Sequence, residues 1–175
     1  MSQQEQIKTE DFYLYDKKVV CPLCKSTINV KAVRNSRLRL VKRDTDSMPV
    51  YQDINPLFYD VWLCNHCGYA RLQNQFPNPV LPAEANLIRQ NISSKWQPRD
   101  YPPTYSPQVA IERYKLALYG AMVREAKSSE LGMLYLKLAW IYRSLSDQAN
   151  EITCMQQACR YLEKAFQDEE PPVLG

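Results

Sequence analysis

Four cysteines carry the one chemically specific pattern in this chain. They fall in two CxxC pairs, Cys21-Pro22-Leu23-Cys24 and Cys64-Asn65-His66-Cys67. A two-residue spacer lets both sulfurs of a pair turn toward one point, and two pairs supply four thiolates to one tetrahedral ion. That donor set suits zinc, and four protein ligands leave no position for a reacting water. The pattern therefore implies one structural Zn2+ per chain on Cys21, Cys24, Cys64 and Cys67. A thioredoxin-type redox pair would open a helix in a βαβ context, and neither pair has such surroundings. His66, the only histidine, lies inside the second turn, a position that aims its ring away from the sulfurs. Cys154 and Cys159 are five apart in a helical stretch, which keeps them apart on a helix. They read as core or half-buried fillers.

Each cysteine turn needs a strand leading in and another leading out. Lys17 to Val20 is a short strand into the first turn, and "TINVKAV" leads out of it with β-branched residues. "SRLRLVK" alternates, with Leu38 and Leu40 on one side and Arg37 and Arg39 on the other, the pattern of a half-buried strand. "MPVYQDINP" reads as loop. "LFYDVWLC" reads as a strand into the second turn, with Tyr59, Val61 and Leu63 on one side. Gly68 suits the left-handed position after the last ligand, and Lys25 takes the corresponding place in the first turn. The 39 residues between the pairs are many for a zinc ribbon, so the connecting hairpin is long or carries an insertion.

The remainder of the chain reads as helical. Prolines cluster from Phe76 to Pro107, with one short helix expected at "AEANLIRQNISS". Trp96, Tyr101 and Tyr105 lie in that segment, so it is expected to pack on something. Ser106-Pro107 starts a helix with an N-cap hydroxyl and a first-turn proline, and Ala110, Tyr114, Ala117, Leu118 and Ala121 form its stripe. A second helix starts near Ser129, with Leu131, Leu134, Leu138, Ile141 and Leu145 on one face and Leu136 and Trp140 on another. A third runs from about Gln148 to Gln167, with Ile152, Met155, Cys159, Leu162 and Phe166 at helical spacing. Ala158, Leu162 and Ala165 repeat the small-large-small spacing of Ala110, Tyr114 and Ala117. That spacing lets helices approach closely, as in tetratricopeptide repeats, although the offset of about 48 residues exceeds the usual period of about 34.

These elements give an α+β chain, a small β-rich zinc ribbon followed by an all-α, tetratricopeptide-like helical domain. The expected divisions are a flexible tail over 1–11, the ribbon over 12–75 and a proline-rich connection over 76–106. The helical domain covers 107–170 and a tail covers 171–175. Residues 1–11 are polar and lack the apolar core of a signal peptide. The longest nearly apolar run, "LGMLYLKLAWIY", is interrupted by Lys137 and too short to span a bilayer. A cytoplasmic setting follows as the expectation, and there thiols stay reduced. The formal charge is +3, and four ligating thiolates would lower it by about two units.

Basic character is local. No acidic residue occurs from Lys25 to Arg43, while Lys31, Arg34, Arg37, Arg39, Lys42 and Arg43 fall there. Arg34, Arg37, Arg39, Lys42 and Arg43 are candidate phosphate contacts on a hairpin. The same charges also serve a solvated strand that resists edge pairing, and no aromatic stacking pattern is interleaved.

"CPLC", then "KRDTD" and "NPLFYDVWLCNHCGYA", then "ERYKLAL" and "SSELGMLYLKLAWIYRSL", resemble a bacterial domain-of-unknown-function family, mostly from Firmicutes. The resemblance runs from about Tyr15 to Phe166. It implies an N-terminal zinc-ribbon-like part with the four cysteines as ligands, a tetratricopeptide-like C-terminal part and a bacterial cytoplasmic setting. It implies no activity. With one histidine, four glycines and no nucleotide loop or nucleophile elbow, the chain reads as a non-enzymatic adaptor for a protein or peptide. The runners-up are a nucleic-acid-binding regulator using Lys31 to Arg43 and a thiol redox switch. Three helices are few for such a stack, so an apolar surface around Ala158, Leu162 and Ala165 is expected to stay open for a partner or for self-association.

Overall fold

The computed structural model describes residues 12–169. The tails expected over 1–11 and 171–175, and residue 170 of the expected helical domain, lie outside them. Six strands come first, paired as three two-stranded antiparallel hairpins. They are β1 (Leu14–Val20) with β2 (Thr27–Val33), β3 (Leu40–Arg43) with β4 (Pro49–Tyr51), and β5 (Val61–Leu63) with β6 (Ala70–Leu72). Four helices follow, α1 (Pro82–Asn91), α2 (Pro107–Val123), α3 (Ser128–Ser144) and α4 (Gln148–Asp168). This is the α+β order expected from the sequence. No helix among the described residues is long and apolar enough to cross a membrane.

The first and third hairpins carry the cysteine turns at their tips, where Val20 pairs with Thr27 and Leu63 with Ala70. The long connection between them is an insertion, the β3–β4 hairpin. Its alternation of leucine and arginine does not mark a half-buried strand. Asn35–Arg37 forms a 3-10 turn, and all four β3 residues are exposed. β3 is the exposed strand of this ribbon, whereas β4 is half-buried along its length and Leu38, ahead of β3, packs against the Leu14, Ile54 and Tyr59 cluster, so the period of two carries no burial within β3 itself. β4 occupies part of the stretch expected to be loop. Tyr59 belongs to a 3-10 turn, Pro56–Tyr59, rather than to β5. Asn55 caps that turn by accepting from the Leu57 N–H at 3.1 Å, so Asn-Pro was a start signal.

β5 is buried along its whole length. The hairpin it makes with β6 contributes Val61, Leu63, Ala70 and Leu72 to the same apolar cluster as Tyr114 and Leu118 of α2 and Leu134 and Leu138 of α3. The β-rich part and the helices thus share one core. A second cluster joins β2, the cysteine turns and α1 through Ile28, Val30, Trp62, Phe76 and Ile88. α2 begins as its sequence demands, with Ser106 Oγ accepting from the Val109 N–H at 3.3 Å, and all five residues of its expected stripe are buried.

α3 is buried on two faces, through Leu131, Leu134, Leu138 and Ile141 and through Trp140. Leu145, expected on that line, is the half-exposed C-cap. The face of α4 is where sequence and structure part. Its buried residues are Cys154, Ala158 and Ala165. Leu162 lies on the same side, so close to Gly132 of α3 that a Cβ at Gly132 would sit 2.7 Å from Leu162 Cγ. The close-packed partner of Ala158, Leu162 and Ala165 is therefore α3 itself, and these three residues are not an open surface. Ile152, Cys159 and Phe166 face outward instead, so Cys154, not Cys159, is the core thiol. Tyr135 and Tyr161 stack at 5.7 Å across the same helix pair.

Candidate metal centre

The two cysteine turns have the same backbone. In the first, Lys25 N–H donates to Cys21 O at 2.9 Å and Cys21 N–H to Ser26 O at 2.9 Å. In the second, Gly68 N–H donates to Cys64 O at 2.8 Å and Cys64 N–H to Tyr69 O at 2.8 Å. The residue after each pair is left-handed, Lys25 at φ 64° and Gly68 at φ 77°. Within each turn, backbone N–H groups point at the first sulfur, those of Leu23 and Cys24 at Cys21 and those of His66 and Cys67 at Cys64. Such donors stabilise thiolate over thiol.

Facing one another, the turns bring the Sγ atoms of Cys21, Cys24, Cys64 and Cys67 within 4.8 Å of one another. Across the gap, Cys21 Sγ lies 3.7 Å from Cys67 Sγ and Cys24 Sγ 3.5 Å from Cys64 Sγ. Thiolate–metal bonds of about 2.3 Å in a tetrahedron give sulfur–sulfur edges of about 3.8 Å. The cluster fits a small tetrahedral metal ion. Without a cation the sulfurs cannot ionise together. Hydrogen bonds shared with Cys21 and Cys67 favour the Cys64 thiolate, at the expense of Cys21, pushed up to about 12, and of Cys67. A metal dication would remove that conflict. Cys21, Cys64 and Cys67 are buried, whereas Cys24 is exposed. His66 is exposed and outside the cluster.

The proline-rich segment holds the centre to the helices. α1 and the 3-10 turn Ser93–Lys95 lie behind the turns, with Ser93 Oγ donating to Cys67 O at 2.8 Å and Arg89 Nη2 to Leu23 O at 3.3 Å. Trp96 donates its indole N–H to Asn65 O at 2.9 Å and covers Gly68. A Cβ on Gly68 would lie 2.7 Å from Trp96 Cδ2, so glycine is required there for space as well as for φ. The Asn65 side chain and the Arg99 backbone exchange two hydrogen bonds of 2.9 Å. As expected, this segment packs: Trp96 on the second turn, Tyr105 on Tyr59 at 4.9 Å, and Tyr101 beside Arg113.

Three charge clusters were not legible in the sequence. Glu130, at the start of α3, accepts two 2.9 Å bonds from Arg71 of β6 and one from Arg124, all three side chains being largely buried. Asp60 pairs with Lys137 and accepts from Gln73 at 2.9 Å. Asp46 at the tip of β3–β4 accepts from Arg143 at 2.9 Å and from the Trp140 indole at 2.9 Å, tying the inserted hairpin to α3.

The basic stretch is partly spent on internal contacts. Arg34 lies over Tyr15 at 5.1 Å, Arg37 over Phe12 at 4.1 Å, and Arg43 donates to Ser47 O at 3.5 Å. Lys31 pairs with Asp16 at 2.9 Å. The side chains of Arg39 and Lys42 make no hydrogen bond or ion pair among the described residues, although Arg39 O accepts from the Gln52 N–H at 3.1 Å.

A family model for uncharacterised proteins conserved in bacteria, DUF2225, matches residues 14–175, and the chain belongs to that family. Comparison with curated proteins and with solved structures finds no match.

Proposed function

We propose that this chain is a non-enzymatic protein-binding adaptor whose N-terminal part is held in shape by a structural zinc ion on Cys21, Cys24, Cys64 and Cys67. Closure of the ligand shell supports the zinc part. Four sulfurs complete a tetrahedron and leave no position for a substrate or a reacting water. The strand-borne turns match a zinc ribbon, and the α3–α4 hairpin, with its small-residue contact, is tetratricopeptide-like in packing.

The outward face of α4 carries the adaptor part. Ile152, Met155, Cys159 and Phe166 recur at helical spacing, and Ile152 and Phe166 are 48% and 92% exposed. Ile152, Met155 and Cys159 line a shallow groove of about 390 Å3. An apolar helix face is the surface on which amphipathic helices and peptides dock. The partner face is thus on the opposite side of α4 from Ala158, Leu162 and Ala165.

The test is a pull-down from native cell extract with the wild type and with Ile152→Glu/Phe166→Ser, each with and without nuclease. The expected result is a defined protein captured independently of nuclease and lost in the variant, whose helix and metal contents are unchanged. Equal capture by both proteins, or capture only through nucleic acid, rules the adaptor reading out. Light scattering at high concentration separates self-association through the same face.

A further inference from the structure

Arg113 is the one buried cation among the described residues with no carboxylate bonded to it. Its side chain runs from α2 to β5, where Nε and Nη2 donate to Val61 O at 3.3 and 2.9 Å. The rings of Tyr101 and Tyr105 lie 5.0 and 4.7 Å from its guanidinium carbon. Both rings are fixed, Tyr101 by its hydroxyl donating to Glu112 at 2.9 Å and Tyr105 by stacking on Tyr59. Nη1 has no hydrogen-bond partner among the described residues. The side chain lines a cleft of about 330 Å3 bounded by β2, the end of β5 and the Arg99–Tyr105 segment.

A guanidinium stays protonated throughout the accessible pH range, and burying its charge is unfavourable unless something of opposite sign faces it. One carbonyl, two ring faces and the neighbouring Glu112 charge offset part of that cost and leave Nη1 without a hydrogen-bonded anion. The other charges of the cleft do not answer it. Lys31 already holds Asp16 at 2.9 Å, Arg99 holds Glu112 at 2.5 Å, and Asp100 is exposed, without an ion pair among the described residues.

We propose that this cleft is a binding site for a small carboxylate ligand, with Nη1 of the buried Arg113 side chain as the accessible donor to the carboxylate. Asp16 and Asp100 on the wall oppose a phosphate dianion more than a monoanion. They suit a ligand whose carboxylate lies at Arg113 and whose neutral or cationic end lies outward. The carboxylate of a free small molecule and that of a peptide C-terminus share this chemistry.

The test is NMR titration of the metal-loaded full chain, following the Arg113 Nε–Hε signal with acetate, triglycine and inorganic phosphate, and with chloride as the ionic-strength control. Acetate and triglycine should shift it saturably, and phosphate more weakly. Tighter binding of triglycine identifies the peptide-terminus source, and equal affinity the free carboxylate. Arg113→Lys, followed through the backbone amide signals of the cleft residues, should weaken acetate at least about tenfold, because an ammonium lacks the planar fork that bonds Val61 O and the carboxylate together. Asp100→Asn, an exposed change that leaves folding intact, should tighten acetate about threefold by removing a like charge. Shifts no larger than those with chloride overturn the proposal, as does phosphate binding more tightly than acetate. Acetate affinity unchanged by Asp100→Asn overturns it too, even if Arg113→Lys fails to fold.

Discussion

Gly68→Ala probes how the second cysteine turn is built into the rest of the molecule. Gly68 sits at φ +77°, and a Cβ there would lie 2.7 and 2.8 Å from Trp96 ring atoms and 3.0 Å from Ile92 Cγ2. The left-handed backbone disfavours alanine by about 1–2 kcal/mol. About 0.5 kcal/mol of that is offset because alanine restricts the unfolded chain. The overlap adds about 1–3 kcal/mol of overpacking, since Trp96 retreats only by straining its 2.9 Å bond to Asn65 O. The total is about 1.5–4.5 kcal/mol of lost stability. Lys25→Ala is the control. Lys25 holds φ 64° in the equivalent turn, already bears a Cβ and is exposed, so its loss should change stability by less than about 0.5 kcal/mol. Denaturant unfolding of metal-loaded protein, followed by tryptophan fluorescence and by circular dichroism, gives both values. In a Trp96→Ala background the Gly68→Ala cost should shrink to the backbone part, about 1 kcal/mol. Equal costs at Gly68 and Lys25, or a Gly68→Ala cost unaffected by Trp96→Ala, would refute the role given to Trp96.

Glu130→Gln should destabilise the fold by about 3–5 kcal/mol in the same assay, because Arg71 and Arg124 are left without their shared buried anion. Asp46 gives a pH prediction. Burial raises its carboxyl, but hydrogen bonds from Arg143 and Trp140 outweigh burial and hold it below its ordinary value. Its folded value lies below its unfolded one, so its contribution is complete at neutral pH and is lost as pH falls through the folded value. Asp46→Asn should therefore loosen the β3–β4 anchor at pH 7 and make no difference in strong acid, read from the Trp140 indole N–H signal. Arg37→Glu with Arg39→Glu should leave nucleic-acid binding at physiological salt unchanged at weak or undetectable. Tight, salt-sensitive binding lost in that variant would restore the regulator reading.

The four-cysteine cluster was legible because its geometry is written locally. A CxxC turn closes within six residues, and the φ of its last position shows at Gly68. The start of α2 was legible for the same reason, since Ser106 and Pro107 act on the first turn alone. What depends on distant residues was not. Glu130 meets Arg71 59 positions away, and Asp46 meets Arg143 97 positions away, and no local pattern announces either pair. α4 failed for a different reason. The expected stripe of Ile152, Met155, Cys159, Leu162 and Phe166 is more apolar than Cys154, Ala158 and Ala165, so periodicity alone picks it as the inner one, yet Leu162 alone of the five packs against Gly132 of α3, and Met155 is half-buried at its edge. Gly132 of α3 leaves room for Leu162, and Ala158 and Ala165 beside it let the helices approach, so the stripe that packs is Cys154, Ala158, Leu162 and Ala165. The β3 alternation misled similarly, since β3 is the exposed strand of its ribbon, and the packing against α3 falls to Met48 and the hairpin tip.

The claim on which the rest depends is that Cys21, Cys24, Cys64 and Cys67 together hold one structural zinc ion. X-ray absorption at the zinc edge, on reduced protein purified without added metal and paired with elemental analysis, tests it most directly. The account predicts one zinc per chain with four sulfur neighbours at about 2.3 Å and no nitrogen or oxygen in the shell. A shell with fewer than four sulfurs, or folded protein carrying no metal, would contradict it.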